Sequence, residues 1–330
     1  MMRTIYESSG ATLAPDGIPL HFGDLAGEYR DALENAVLLD RSHEGRVEIR
    51  GKHRFEIINR TSTNDVLNMR PGEARPTIFT NPNGRILERV VVVNWRDESL
   101  LVLTGPGRGA GVANYLQKQV FYGDDAQITN LAETHYQFSL HGPKSGTIIN
   151  ALAETPLDDD LFTGRFVTIG GHEVFVGRLK PFSEDHRILI APTNGAPDVW
   201  QAVITVGTPH GIQPTGGLTY NTLRIRAGVP GAGREINTNY IPLEVGLWDE
   251  VSFTKGCYTG QEIIARMESR ARLARVMVRV TLDGPTDAPT RLYNEGKSIG
   301  TLTSAVTTAT DEHLGIAVVN DFKSVEGDRQ

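Results

Sequence analysis

Lys255-Gly256-Cys257-Tyr258-Thr259-Gly260-Gln261-Glu262, KGCYTGQE in one-letter form, surrounds the single cysteine of a 330-residue chain. A neighbouring ammonium favours the thiolate, which is the reactive form, so Lys255 marks Cys257 as a candidate nucleophile or metal ligand. The glycines at 256 and 260 would let the backbone approach a ligand and keep the cysteine accessible. The alternative reading is a buried, inert cysteine in a tight turn, because free cysteine is among the most buried residue types. One cysteine forms no internal disulfide and cannot supply the four thiolates of a self-contained iron–sulfur cluster. Whatever Cys257 does, it does alone or with a partner.

Outward from this motif, the chain reads as an ordinary water-soluble protein, with 39% hydrophobic and 22% charged residues. Its length suggests two or three domains. A net charge of -7 argues against broad attraction to phosphate backbones, so no direct nucleic-acid partner is expected. The N-terminal MMRTIYESSG lacks the apolar core of a signal peptide, and the longest purely aliphatic run, 90–93, is far too short to span a membrane. A cytoplasmic protein with no membrane partner is predicted.

Apolar spacing predicts helices over 27–36, 53–68, 111–120 and 196–206, and a short strand at 46–49. The β-branched run ILERVVVVNW at 86–95, a polar turn at 96–99 and a return at 100–104 predict an antiparallel hairpin. Strands at 173–178 and 187–190 before the last helix repeat the same order, hairpin then helix, and suggest two related α+β units. From Arg275 onward, short strands separated by turns predict a small β-barrel or half-barrel, with a boundary near 269–275.

Three other patterns bear on chemistry. GPGRGAG at 105–111 formally satisfies a dinucleotide-binding pattern, with Asp124 or Asp125 at the offset of a ribose partner. The strand before it is the second arm of a hairpin rather than the opening strand of a parallel unit, and this favours a glycine-rich turn. The nine histidines show no metal-ligand spacing, and no G-x-S-x-G elbow is present.

KGCYTGQE followed by Ile263-Ile264-Ala265-Arg266 resembles the signature of the YgfZ family of folate-binding proteins, which assist iron–sulfur enzymes. Much of the remaining chain is similar to the wider family that includes the aminomethyltransferase (T-protein) of glycine cleavage. The stretches that carry this are Leu39-Asp40-Arg41-Ser42-His43, Asn83-Gly84-Arg85-Ile86, Leu140-His141-Gly142-Pro143, Leu223 to Pro230 and Gly300 to Ser304. The resemblance spans roughly residues 37–320.

This resemblance implies an α+β fold: a ring of lobes around a central folate-sized hole, with a folate-binding region over 1–270 and a C-terminal β-barrel over 271–330. It implies tetrahydrofolate as cofactor, iron–sulfur client proteins as partners, and Cys257 with Lys255 as the functional pair. Contacts to folate are expected from Arg224, Gly256, Tyr258, Gln261, Glu262 and Glu88. For Arg224 the alternative is an ion pair to Glu235 or Glu244. Two departures from the transferases stand out. Glu88-Arg89 occupies the place of a paired aspartate that helps activate the folate, and Arg187 lies near the place of a pterin-clamping glutamate. Two functions follow: maintenance of iron–sulfur enzymes through Cys257, or a tetrahydrofolate-dependent aminomethyltransferase or demethylase. A non-catalytic module that has lost the pocket is the third reading.

Overall fold

The computed structural model describes residues 1–157, 160–269 and 273–320. Contacts divide the chain into two compact units. The first comprises Met1–Ile58, Val66–Pro76 and Val90–Leu223; the second comprises Asn59–Asp65, Thr77–Arg89 and the chain from Arg224 onward. Residues 224–269 therefore group with the C-terminal strands. The boundary expected at 270/271 falls on residues outside those described.

In the first unit, a six-stranded sheet runs in the order Gly164–Ile169, His172–Arg178, His186–Pro192, His135–His141, Ala36–Asp40, Ile212–Thr215. All neighbours are antiparallel except the last pair. The helices Met2–Ser8, Ser145–Leu152 and Ala196–Gly207 cover it, and Leu38, Phe138, Leu140 and Leu189 of the strands pack with Ile148, Val199, Trp200 and Val203 of the helices. Each such buried side chain contributes about 1.5–3 kcal/mol relative to exposure, which is why the 3.6-residue periodicity of 196–206 translates into a helix on this sheet.

The predicted hairpin is present as Ile86–Arg96 and Ser99–Pro106, paired Val91↔Leu103 through Val93↔Leu101, with Glu98 at the turn in the left-handed region (φ 57°). It belongs to a five-stranded sheet in the order Ala74–Thr80, Ile86–Arg96, Ser99–Pro106, Glu44–Arg50, Gln127–Asn130. Val91, Val93, Trp95, Leu101 and Leu103 pack against Phe175, Ile188 and Ile190 of the six-stranded sheet and form a second core within the first unit. Hairpin followed by helix does recur: Gly109–Gln117 follows the first hairpin, and Ala196–Gly207 follows the hairpin His172–Arg178 with His186–Pro192. The helix expected over 53–68 stops at Thr61. Beyond it, Ser62 bridges to Phe79 and the Thr63 N–H donates to the Ile78 carbonyl, so extended pairing replaces the last turns.

In the second unit, Ile78, Ile86, Tyr240, Leu243, Val245, Val251, Tyr258, Ile264 and Val318 form one core. The C-terminal strands make a four-stranded antiparallel sheet in the order Val276–Thr281, His313–Val319, Lys297–Thr307, Thr290–Asn294. Among the described residues the two outer strands do not pair, so the strands expected to form a barrel stand as an open sheet. Four strands are fewer than the about five of even a small, partly open barrel.

Candidate functional site

Within the second unit, the Cys257 loop is a segment without regular structure, fixed at both ends to residues distant in sequence. The Ser252 N–H donates to the Thr63 carbonyl (2.9 Å), and Thr63 Oγ1 donates to the Glu250 carbonyl (2.7 Å). On the far side, Thr80 Oγ1 donates to the Thr259 carbonyl (2.5 Å). Gly260, at φ +84°, lies so close to the turn at 81–84 that a Cβ there would sit 2.5 Å from the Asn81 carbonyl oxygen. Only glycine fits both that conformation and that approach. The helix Gln261–Ser269 then starts and buries Ile264 in the core.

Lys255 is the strut of this loop. Its Nζ donates to the carbonyls of Asn59 (2.6 Å), Ser62 (2.8 Å) and Asn64 (2.7 Å). An ammonium has three donors, and these three acceptors take all of them. These bonds give Lys255 a structural role in the loop. Burial lowers the Lys255 pKa to about 8, against an opposing pull from Asp65. The ammonium also lies 5.3 Å from the centre of the Tyr258 ring. Tyr258 itself is only 8% exposed and part of the core, and burial pushes its hydroxyl up to about 12.

Between these anchors Cys257 is a free, exposed thiol, which removes the buried, inert reading. Gly256 is exposed as well, and a Cβ added to it would meet nothing within 4 Å. Gln261 is half-buried and Glu262 exposed at the start of the following helix. The loop thus presents one thiol to its surroundings on a backbone held rigid by its neighbours.

Glu88 lies on the strand Ile86–Arg96 and is 4% exposed. Its neighbour Arg89 makes a two-pronged ion pair with Glu250, Nε to both carboxylate oxygens at 2.8 Å and Nη2 to one of them at 2.6 Å. Arg224 is engaged within the unit. Nη1 donates to the Val229 carbonyl (3.2 Å) and to Glu235 (3.4 Å), Nη2 donates to Ser304 Oγ (2.9 Å), and that hydroxyl donates on to Glu235 (2.8 Å). Glu235 is fully buried. The ion-pair alternative for Arg224 is the geometry found, with Glu235 as partner; Glu244 takes Arg85 and Arg275 instead. Arg187 belongs to the first unit, 3% exposed, with Nε donating to Asp185 (2.9 Å).

The remaining patterns resolve simply. GPGRGAG joins the antiparallel strand Ser99–Pro106 to the helix Gly109–Gln117, so it is the turn of a hairpin-to-helix connection. Among the described residues, no group of three or more His, Cys, Asp or Glu side chains could hold a metal ion, and no helix is long and apolar enough to cross a membrane. Sequence reading missed the clamp on Lys255, because its acceptors are backbone carbonyls, and the role of the Asn81-Pro82-Asn83-Gly84 turn beneath Gly260. The turn chemistry of those four residues was the available signal.

The GCVT N-terminal domain family matches residues 16–255, a span that ends two residues before Cys257. A chloroplastic Arabidopsis thaliana protein, named provisionally as a transferase, is 29% identical over 300 residues, 90% of this chain and 68% of that one. An aminomethyltransferase of Halalkalibacterium halodurans is 28% identical over 324 residues, 96% of this chain and 88% of that one. Among solved structures, the glycine cleavage system aminomethyltransferase T of Bartonella henselae superimposes with a TM-score of 0.86 at 21% identity, covering 98% of this chain and 90% of that one.

Proposed function

Since the chain belongs to the GCVT N-terminal domain family over residues 16–255, we propose that it acts on tetrahydrofolate-borne one-carbon units in the manner of an aminomethyltransferase. The observation that carries this reading is the nearly full-length similarity to proteins named aminomethyltransferase, 28% identity across 96% of the chain, joined to a buried carboxylate, Glu88, which with Arg89 occupies the place where the resemblance expects an acidic pair.

A pterin edge presents N–H donors, for which a buried carboxylate is a fitting acceptor, and Glu88 would hold it. Arg224 does not suit the anionic tail, because Glu235, Ser304 and the Val229 carbonyl already engage it. Tetrahydrofolate, when bound, supplies the nitrogen atoms that carry a one-carbon unit. Glu88 would orient that ring and exchange a proton at its carboxylate oxygens. A cytoplasmic setting goes with this reading.

Calorimetric titration of the full, reduced chain with tetrahydrofolate tests it, with Glu88→Gln alongside. Saturable binding that Glu88→Gln weakens at least about tenfold is expected, since a hydrogen bond to a charged group contributes about 1.5–3 kcal/mol. Equal affinity of the two proteins, or no saturable heat with either, would remove Glu88 from the role.

The exposed thiol of Cys257 favours a second reading, that of a YgfZ-like factor maintaining iron–sulfur client enzymes. With one cysteine, the other ligands of any shared cluster would come from the client. Full complementation of a factor-deficient strain by Cys257→Ser would count against it.

A further inference from the structure

We propose that a cavity against the C-terminal sheet in the second unit is a binding site for a small oxyanion, phosphoryl or carboxylate. The cavity has a volume of about 220 Å³, with Arg275 and Arg291 on its wall. Water occupies about 30 Å³ per molecule, so the space admits a group the size of a phosphate or a short dicarboxylate.

Charge decides the class of ligand. Among the described residues no carboxylate lines this cavity, and the apolar side chains on its wall, Tyr240 and Val318, are only 7% and 2% exposed. Glu244, the acid nearest in the network, is already committed: it accepts from Arg275 Nε (3.1 Å) and Nη2 (3.0 Å), from Arg85 Nη1 (3.4 Å) and from the Ile241 N–H (3.1 Å). Arg275 is oriented by those bonds, by the Asn239 carbonyl (2.7 Å) and by the Tyr240 ring 4.9 Å beneath its guanidinium. The two N–H groups on its Nη1 have no acceptor among the described residues. The Arg291 guanidinium has no hydrogen-bond or ion-pair partner among the described residues. Two guanidinium groups, one of them fixed in orientation, make a fork suited to the paired oxygens of an anion.

Backbone irregularity brings the hydroxyls to the same place. Leu292 pairs with Gly300 but Tyr293 pairs with Ser298, so Ile299 is an extra residue in the ladder. Side chains three apart on a regular strand face opposite sides, and one inserted residue turns Ser298 and Thr301 to the same side. Both line the cavity, with Asn320 at its edge. Gly300 forms the floor, where a Cβ would sit 2.4 Å from the Val318 carbonyl oxygen. The result is two cations, two hydroxyls and an amide around one small space.

The test is calorimetric titration of the full chain with inorganic phosphate and, separately, with glutarate, at constant ionic strength set with chloride. Arg291→Gln and Thr301→Val serve as variants; Arg291 is exposed on an edge strand, so its replacement is expected to leave the fold intact, which circular dichroism checks. One saturable site is expected, weakened at least about tenfold by Arg291→Gln and less by Thr301→Val. The tighter of the two probes identifies the ligand group as phosphoryl or carboxylate. The proposal is overturned if neither probe gives saturable heat, or if the folded Arg291→Gln protein binds as the wild type does. Neither result bears on Glu88 or on folate.

Discussion

Replacing Gly260 by alanine tests the packing that holds the Cys257 loop. The backbone there sits at φ +84°, which costs an L-residue about 1–2 kcal/mol. The new Cβ would lie 2.5 Å from the Asn81 carbonyl oxygen, 2.9 Å from Gly84 Cα and 3.0 Å from Gly84 N, all of them backbone atoms that cannot rotate away. Forcing backbone apart in a packed region costs a further ~1–3 kcal/mol. The sum, ~2–5 kcal/mol, corresponds to a fall of roughly 6–15 °C in melting temperature at ~3 °C per kcal/mol. Gly256→Ala is the control. Its φ lies outside the left-handed region and its Cβ meets nothing, so this change leaves stability level or raises it by up to ~1 kcal/mol through a stiffer unfolded chain. Differential scanning calorimetry of the two variants separates the cases. If Gly260→Ala melts with the wild type, or if Gly256→Ala falls as far, the account of the loop as a strap clamped on the 81–84 turn is wrong.

Lys255 carries a pH signature. Its pKa of about 8 in the fold is below its ordinary value near 10.5, so the unfolded chain holds more protons between those values and stability rises with pH across that window. The difference in urea stability between wild type and Lys255→Met should therefore grow from pH 8 to pH 10.5; a difference independent of pH would refute the shift. For Arg89 and Glu250, a double-mutant cycle with Arg89→Leu and Glu250→Gln should give a coupling of about 1–3 kcal/mol, because Glu250 is almost wholly buried; additive effects would mean the pair is not coupled. In the first unit, His186 is buried, stacked 4.1 Å from His141 and hydrogen-bonded through Ser139 Oγ at 2.8 Å, and burial drives its pKa down to about 4. The stability this gives is full above about pH 6.5 and is lost as pH falls toward 4, since the unfolded imidazole protonates first. His186→Gln should flatten that part of the acid-unfolding curve, and an unchanged slope would assign it to other groups.

Local patterns in the chain account for much of this architecture. The valine-rich run at 86–95 and its polar turn mark the hairpin almost to the residue, because alternation and turn chemistry are properties of near neighbours. The helix at Ala196–Gly207 is legible from its apolar spacing for the same reason. The helix after His53 ends earlier than its spacing implies because its last residues pair with a strand 15 or more positions away, and spacing carries no record of that partner. Arg224 shows the limit at a single side chain. Its motif points equally to a ligand and to an ion pair, and the buried Glu235 with Ser304, 80 positions downstream of Arg224, settles which.

The sequence by itself determined that Cys257 is alone, that no internal disulfide or self-contained four-thiolate cluster can form, and where the hairpin and the most periodic helix lie, since each follows from counting or from near neighbours. Tertiary structure decided what the neighbours of that cysteine do. Lys255 adjoins the motif in sequence, yet its three donors are taken by carbonyls 191 to 196 positions earlier in the chain. Spacing along the chain establishes only that two groups can meet; which acceptor wins is set by the folded backbone, where burying an ammonium is tolerable only when every N–H finds a partner.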